Sequence, residues 1–333
     1  MRILLTGATG FIGRHLLEAL VASGHQVVCA TRRPPTLPSA ATPGVSEIAV
    51  DFTRDHDSAE WLPRLAGVDA VINAVGIIRE QGKQTFDAIH HRAPVALFQA
   101  CAKAGVKRVI QVSANGADEN AASRYHLSKK QADDFLAALP LSSAIVQPSV
   151  VYGIDSGGAA LFNTLASMPL VGLPGGGVQG LQPVHVDDLV QVVMRLLETT
   201  EHVPPGKRIP VVGPVPLTLK SFLVELGNAM QLRRRLFFPV PMPLVRLGAS
   251  LAGKLPGSML DPETLAMLER GNTADPAITM ALLGRAPKAV SGFIGPAERA
   301  AVRRRALFNW LLPLLGIAAV LALAIAFYLV ARM

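Results

Sequence analysis

The chain has 333 residues, 50% of them hydrophobic and 17% charged, with 32 basic against 24 acidic side chains and a formal net charge of +8. That balance excludes a disordered tail or a disulfide-built scaffold, because two cysteines cannot staple a chain of this length. A mean hydropathy of +0.37 is high for a protein that meets only water, and it points to a local apolar segment facing lipid.

In chain order, Ile3-Leu4-Leu5 runs into Gly7-Ala8-Thr9-Gly10-Phe11-Ile12-Gly13, and an amphipathic run with Leu16, Leu17, Leu20 and Val21 follows. Strand, tight turn and helix in that order leave free N–H groups and the positive end of the helix dipole pointing at one spot, where a phosphate can be held. A dinucleotide is therefore expected against Gly7, Thr9, Gly10, Phe11, Ile12 and Gly13. Residues 26–30 read as a second strand that ends at Thr31-Arg32-Arg33-Pro34. No acid stands there to take a ribose 2′-hydroxyl, whereas Arg32 can pair with a 2′-phosphate, so NADP(H) is favoured over NAD(H).

Residues 47–50 form the next expected strand, ending in Asp51-Phe52, and 58–66 a short helix. Asp51 can accept from an adenine amino group or cap a turn. A fourth strand over 70–73 ends at Asn73 and leads into Ala74-Val75-Gly76, small enough for a cofactor to cross. A long helix is expected over 84–104. His90 and His91 lie on it, and adjacent helical residues point apart, so they do not make a metal pair. A fifth strand over 108–112 ends at Ser113, and Tyr125-His126-Leu127-Ser128-Lys129 opens a helix running to residue 139. Tyr125 and Lys129 share a helical face. An ammonium beside the phenol is expected to lower its pKa and make it a proton donor or acceptor, with Ser113 bonding the reacting oxygen.

Strands alternating with helices imply an α/β fold, a Rossmann-type doubly wound parallel sheet over residues 1–155. Cys29 and Cys101 sit among apolar neighbours and read as buried thiols. A strand over 207–212 and helices over 218–230, 244–254 and 262–270 belong to a smaller α+β substrate-side region over 156–285. His185, Asp187 and Asp188 invite an acid–base reading, but Asp187 and Asp188 stand where a helix should begin and capping is favoured; Arg233-Arg234-Arg235 reads as a solvated helix end, with a partner or lipid surface as the alternative. Residues 286–305 read as a linker and basic juxtamembrane segment.

From Ala306 to Ala331 no charge interrupts the chain. At 1.5 Å per residue this run makes a helix about 39 Å long, enough for one C-terminal transmembrane helix. Arg299, Arg303, Arg304 and Arg305 precede it and Arg332 follows, which keeps the body in the cytoplasm of a membrane-anchored protein, with a bacterial inner membrane expected. The same arginines suit anionic headgroups and argue against nucleic acid as the partner.

Gly7-x-x-Gly10-x-x-Gly13, Asn73-Ala74-x-Gly76, Ser113 and Tyr125-x-x-x-Lys129 together resemble the short-chain dehydrogenase/reductase superfamily. Gln147-Pro148-Ser149-Val150-Val151-Tyr152-Gly153 and Gln182-Pro183-Val184-His185-Val186-Asp187-Asp188-Leu189 resemble its extended or atypical branch. Ser123-Arg124-Tyr125, Pro174-Gly175-Gly176-Gly177 and Leu260-Asp261-Pro262-Glu263 look most like the NADPH-binding accessory subunit of respiratory complex I and its bacterial relatives. The resemblance, over residues 1–285, implies Tyr125 as acid or base, Lys129 as its tuner and ribose contact, and Ser113 as orienting donor. It also implies that Asp51, Phe52, Gln147, Pro148 and Val151 border the cofactor. Gln147 stands where the branch usually carries arginine, which removes a charge that sugar-nucleotide enzymes use. The functions implied are an NADP(H)-dependent oxidoreductase or epimerase working on a quinone or other lipid-soluble substrate, a non-catalytic NADP(H)-binding assembly subunit of a respiratory membrane complex, and a nucleotide-sugar epimerase.

Overall fold

A computed structural model describes residues 1–33, 43–198, 206–232, 235–253 and 261–311. The first elements are β1 (Arg2–Thr6), α1 (Phe11–Ala22), β2 (Gln26–Thr31), β3 (Val45–Ala49), α2 (Ser58–Trp61), β4 (Ala70–Asn73), a π-helical turn (Asp87–Arg92), α3 (Ala93–Ala104), β5 (Arg108–Val112), α4 (Arg124–Ala138) and β6 (Ser143–Pro148). There follow β7 (Val151–Tyr152), α5 (Gly157–Ser167), β8 (Leu170–Pro174), β9 (Gly180–Leu181), β10 (Val184–His185), α6 (Val186–Glu198), β11 (Lys207–Val211), β12 (Leu217–Thr218), α7 (Leu219–Ala229), β13 (Leu236–Val240), α8 (Met242–Ala252), α9 (Pro262–Arg270) and α10 (Ala277–Leu283). Two compact units interleave along the chain: Met1–Val151 with Gln179–Pro216 and Arg246–Lys288, and Tyr152–Val178 with Leu217–Val245 and Ala289–Met333.

The first unit is built on a seven-stranded sheet in the order β11-β6-β5-β4-β1-β2-β3. Every pairing in it is parallel. Side chains alternate across a strand, so β1 feeds two cores at once. Ile3 and Leu5 pack with Leu16, Leu20, Leu189 and Leu196 on one face, while Leu4 packs with Trp61, Leu97 and Phe98 on the other. Each leucine buried this completely contributes about 2 kcal/mol. The strand order reverses between β1 and β4, and that switch point is where the carboxyl ends of a doubly wound sheet open a crevice.

The helix expected over 84–104 is not one α-helix. Pro94 has no N–H to give the carbonyl four residues back, that of His90, and its ring crowds that position. The chain responds with the π-helical turn at Asp87–Arg92 and begins the α-helix at Ala93.

In the second unit, the parallel pair β8 and β13 accompanies α5 and α7. Arg235 is not a solvated helix end. Its guanidinium donates to the Ala166 carbonyl at 2.9 Å and to Asn228 Oδ1 at 3.2 Å, and burial lowers its pKa. Arg233 and Arg234 lie outside the described residues. The stretch 286–295, read as linker, carries a buried anchor: Val290, Phe293 and Ile294 are buried, and Phe293 stacks on Tyr152 with centroids 4.8 Å apart.

Residues 299–311 are helical. Asn309 Nδ2 donates to Thr164 Oγ1 at 3.1 Å, Trp310 Nε1 donates to Ser167 Oγ at 3.0 Å, and Ala306 is buried. The first turns of the expected span therefore pack on α5, which corrects its start. Among the described residues no helix is long and apolar enough to cross a membrane. The rest of the expected span, from residue 312, lies outside them.

Candidate active site

The glycine-rich turn is set by contacts that no side chain could share. Gly7 has φ +75°, and a Cβ there would stand 2.7 Å from the Ala74 carbonyl carbon. A Cβ on Gly13 would come within 1.9 Å of the Gly7 carbonyl oxygen. Gly10 is the N-cap of α1 and offers no side-chain acceptor, and the first turn holds no acid. Thr9 and Gly10 are exposed, with Phe11 and Ile12 half-buried. Uncapped N–H groups at an open helix end, with backbone approach cleared by three glycines, fit a dinucleotide pyrophosphate.

The ends of β1, β4 and β5 are locked together beneath it. Thr6 Oγ1 donates to Asn73 Oδ1 at 2.5 Å, and Asn73 Nδ2 donates to Gln111 Oε1 at 2.7 Å. Asn73 is fully buried, so its amide serves the sheet where a cofactor contact was expected. Gly76, two residues past Ala74, is exposed and lies against α4: a Cβ there would stand 3.5 Å from Lys129 Nζ.

Around the adenine end, Arg32 is exposed just after β2. Asp51 accepts from Thr53 N and Oγ1. Against the cost of partial burial, those bonds and the charges of Arg32 and Arg54 hold its carboxyl below the usual range. Phe52 is buried edge-on against Trp61 at 5.6 Å, its ring turned into the core. Pro148 is buried at the end of β6 and Val151 is half-buried.

α4 starts at its N-cap Ser123, whose hydroxyl accepts from His126 N–H. The Glu263 carboxylate, on α9, accepts from Tyr125 N–H at 2.8 Å. Tyr125 is half-buried, edge-on to His90 at 5.3 Å, to Phe86 at 5.9 Å and to His126 at 5.2 Å. Lys129 Nζ lies 5.8 Å from the Tyr125 ring centroid and donates to the Val112 carbonyl at 3.3 Å.

The expected lowering of the Tyr125 pKa is not what this arrangement produces. Burial raises it, and the Asp133 charge raises it further. Burial also brings Lys129 down to about 8, against the pull of Asp133. Ser113 likewise departs from expectation, because its hydroxyl donates to Asp133 Oδ2 at 2.5 Å, into the protein. Gln147 Nε2 donates to the Ala117 carbonyl at 2.9 Å and lies 3.3 Å from the same Asp133 oxygen, so its side chain is used in the interior.

Asp133 is the group that residue-type reading missed. It lies four residues after Lys129 on the same helical face, and that spacing was the available signal. It is fully buried, and its Oδ1 has no hydrogen-bond partner among the described residues. Burial pushes its carboxyl up to about 6, against the hydrogen bond from Ser113 and the charges of Lys129 and Arg208. A carboxyl raised in the folded state contributes stability that is present below its unfolded pKa and lost as pH rises through about 6. Asp133→Asn should therefore gain roughly 2 to 3 kcal/mol relative to the unchanged protein between about pH 4 and about pH 7. Urea unfolding at both pH values measures this, and a constant difference would mean that Asp133 does not titrate there.

His185, Asp187 and Asp188 stand apart from these groups as a structural cluster. Asp188 is fully buried and accepts from Arg285 at 2.6 Å and from Lys288 N–H at 2.7 Å, while Asp187 pairs with Lys288 Nζ at 2.5 Å. Cys29 and Cys101 are buried free thiols, both pushed up to about 12 by burial.

A parallel doubly wound sheet with a glycine turn at its switch point and Tyr125 and Lys129 at the strand ends defines a dinucleotide-fold protein of the extended type. The chain belongs to the NAD dependent epimerase/dehydratase family, whose model matches residues 3–213. Among curated relatives, ceramide reductase of Caulobacter vibrioides is 30% identical over 199 residues, 59% of this chain and 61% of that protein. The mitochondrial NADH dehydrogenase [ubiquinone] 1 alpha subcomplex subunit 9 of Arabidopsis thaliana is 29% identical over 276 residues, 77% of this chain and 65% of that protein. The chain thus spans less than two thirds of the length of these relatives. Among solved structures, a nucleoside-diphosphate-sugar epimerase from Staphylococcus aureus superposes with TM-score 0.71 at 18% identity, covering 88% of this chain and 99% of that one. UDP-glucuronic acid 4-epimerase from Bacillus cereus, in complex with UDP-glucuronic acid and NAD, gives TM-score 0.64 at 19% identity, covering 93% and 100%. These two likenesses concern the fold.

Proposed function

We propose that the protein is a membrane-anchored, NADP(H)-dependent reductase of a carbonyl group on a lipid-soluble substrate. The observation that carries this reading is the placement of Tyr125, ringed by Phe86, His90 and His126, on the same helix face as a buried ammonium, Lys129, which abuts Gly76 at the mouth of the switch-point crevice. A protonated phenol is a general acid, the group a carbonyl reduction needs. Bound NADPH would supply the hydride. Tyr125 Oη gives its proton to the carbonyl oxygen, Lys129 holds positive charge against the phenolate left behind, and the glycine turn with Arg32 binds the phosphates. The Ser113 hydroxyl donates to Asp133, so it does not bond the carbonyl oxygen, and Tyr125 is the donor to that oxygen.

A relative named ceramide reductase favours a lipid carbonyl, while Gln147 lacks the charge that related enzymes use on diphosphate sugars. Residues 312–331 are 20 uncharged positions, about 30 Å of helix, which suits a single span entered directly from the helix at 299–311 with the body in the cytoplasm. The relatives that are respiratory-complex subunits support a second reading, a site that holds NADP(H) without consuming it and docks on such a complex.

The test is full-length protein in phospholipid vesicles with NADPH or NADH and a panel of long-chain ketones and quinones. Steady oxidation of NADPH in preference to NADH, with the preference lost in Arg32→Ala, supports the reductase. Cofactor bound but unconsumed with every substrate favours the assembly reading. Deletion of residues 312–333 should release the protein from the vesicles, and retention would overturn the anchor.

A further inference from the structure

His90 lies outside every motif named above, yet it is 1% exposed and touches both halves of the candidate site. Its Nε2 lies 2.9 Å from the Ile77 backbone N–H. A backbone N–H only donates, so Nε2 accepts and carries no proton. Its Nδ1 is 3.0 Å from Ser128 Oγ, and Ser128 Oγ donates to the Tyr125 carbonyl at 2.8 Å. With the serine proton committed to that carbonyl, Nδ1–H must be the donor to the serine oxygen. Every polar atom of the chain Ile77 N–H, His90, Ser128 and Tyr125 C=O is satisfied in one direction only, which fixes a neutral imidazole with its proton on Nδ1.

The surroundings enforce that state. Phe86 stacks on the ring at 5.4 Å and Tyr125 meets it edge-on. Burial first, then the charge of Lys129, brings His90 down to about 2. A Cβ on Gly76 would stand 3.5 Å from Lys129 Nζ and 3.7 Å from His90 Nε2, so the turn after β4, the lysine and the histidine converge on one point. A ring that is already satisfied and cannot take a second proton is no acid or base. It can only set distances.

We propose that His90 is a positioning residue: a neutral, single-tautomer clamp that holds the Gly76-Ile77 turn at a fixed separation from the helix carrying Tyr125 and Lys129. Through it the surface a dinucleotide crosses and the two groups that face it move as one piece. This rests on the dinucleotide reading above, and two measurements separate the failure of one from the failure of the other.

The first needs no variant. Nitrogen-15 spectra of the full-length protein in detergent should show His90 with a protonated Nδ1 and a bare Nε2, unchanged from about pH 5.5 to about pH 8, and Ile77 N–H slow to exchange. A protonated Nε2, or titration in that range, overturns the clamp whether or not any cofactor binds. The second compares NADPH binding by the unchanged protein, His90→Phe and Ser128→Ala. Phenylalanine keeps the stack on Phe86 and loses both hydrogen bonds, and it should weaken NADPH about tenfold well below its melting temperature. Ser128→Ala, which removes one link, should fall between. A His90→Phe protein that melts lower but binds NADPH as before would make His90 a packing residue and overturn the proposal. An unchanged protein that binds neither NADPH nor NADH overturns the proposed function, while the nitrogen spectrum still decides the clamp.

Discussion

Replacing Tyr125 with phenylalanine should cut NADPH-dependent carbonyl reduction by roughly a hundred- to ten-thousand-fold and leave NADPH affinity nearly unchanged. The ring contacts with Phe86, His90 and His126 need no hydroxyl, so the fold around it keeps its packing. Only the proton is lost. The pH dependence identifies its role. With the phenol raised by burial, Tyr125 itself should add no falling limb near the ordinary pKa of a phenol. Lys129, brought down to about 8, should give the first limb: the rate falls as pH rises through that value and the ammonium discharges. A rate that instead climbs through the neutral range would assign Tyr125 to the oxidative direction. Full activity in Tyr125→Phe would remove it from the chemistry.

The second large effect is expected at Gly13. An alanine Cβ there meets three backbone atoms, Gly7 O at 1.9 Å, Gly7 C at 2.6 Å and Ala8 Cα at 3.0 Å, and none belongs to a side chain that can rotate away. The turn must open. Gly13→Ala should abolish measurable dinucleotide binding and cost about 3 kcal/mol or more in urea unfolding. Gly24→Ala is the control, because its φ of +76° is strained for alanine while, among the described residues, nothing beyond its chain neighbours lies within 4 Å of the new Cβ. It should cost about 1 kcal/mol and leave binding intact. Dinucleotide binding that survives Gly13→Ala would mean that the phosphates sit elsewhere.

What the sequence made legible was local. β4 and β5 were read to the residue because short apolar runs end at small or polar positions, and α9 because Asp261 caps it with Pro262 at its first position. β3 starts two residues and ends one residue earlier than expected, since Val45 already pairs with Val27 straight after Gly44. The site was legible as a set of residues and only partly as an arrangement. That Ser113 turns toward Asp133, or that Glu263 reaches the Tyr125 N–H across 138 positions of chain, depends on long-range packing that no spacing reports. Burial is also why the Tyr125 shift has the opposite sign to the expected one. The charge pair was visible in the sequence, but the solvent it lost was not.

The π-helical turn at Asp87–Arg92 has an evolutionary consequence. Such a turn is an α-helix carrying one surplus residue, and each α-helical residue advances the phase by about 100°. Deleting a single residue at position 91 or 92 would wind the segment into ordinary helix and carry His90, seen from α3, to the bearing now held by His91, which pairs with Asp87 at the surface. A substitution along this helix removes only the contacts of the residue changed, whereas losing that one residue would take His90 away from Ile77 and Ser128 together.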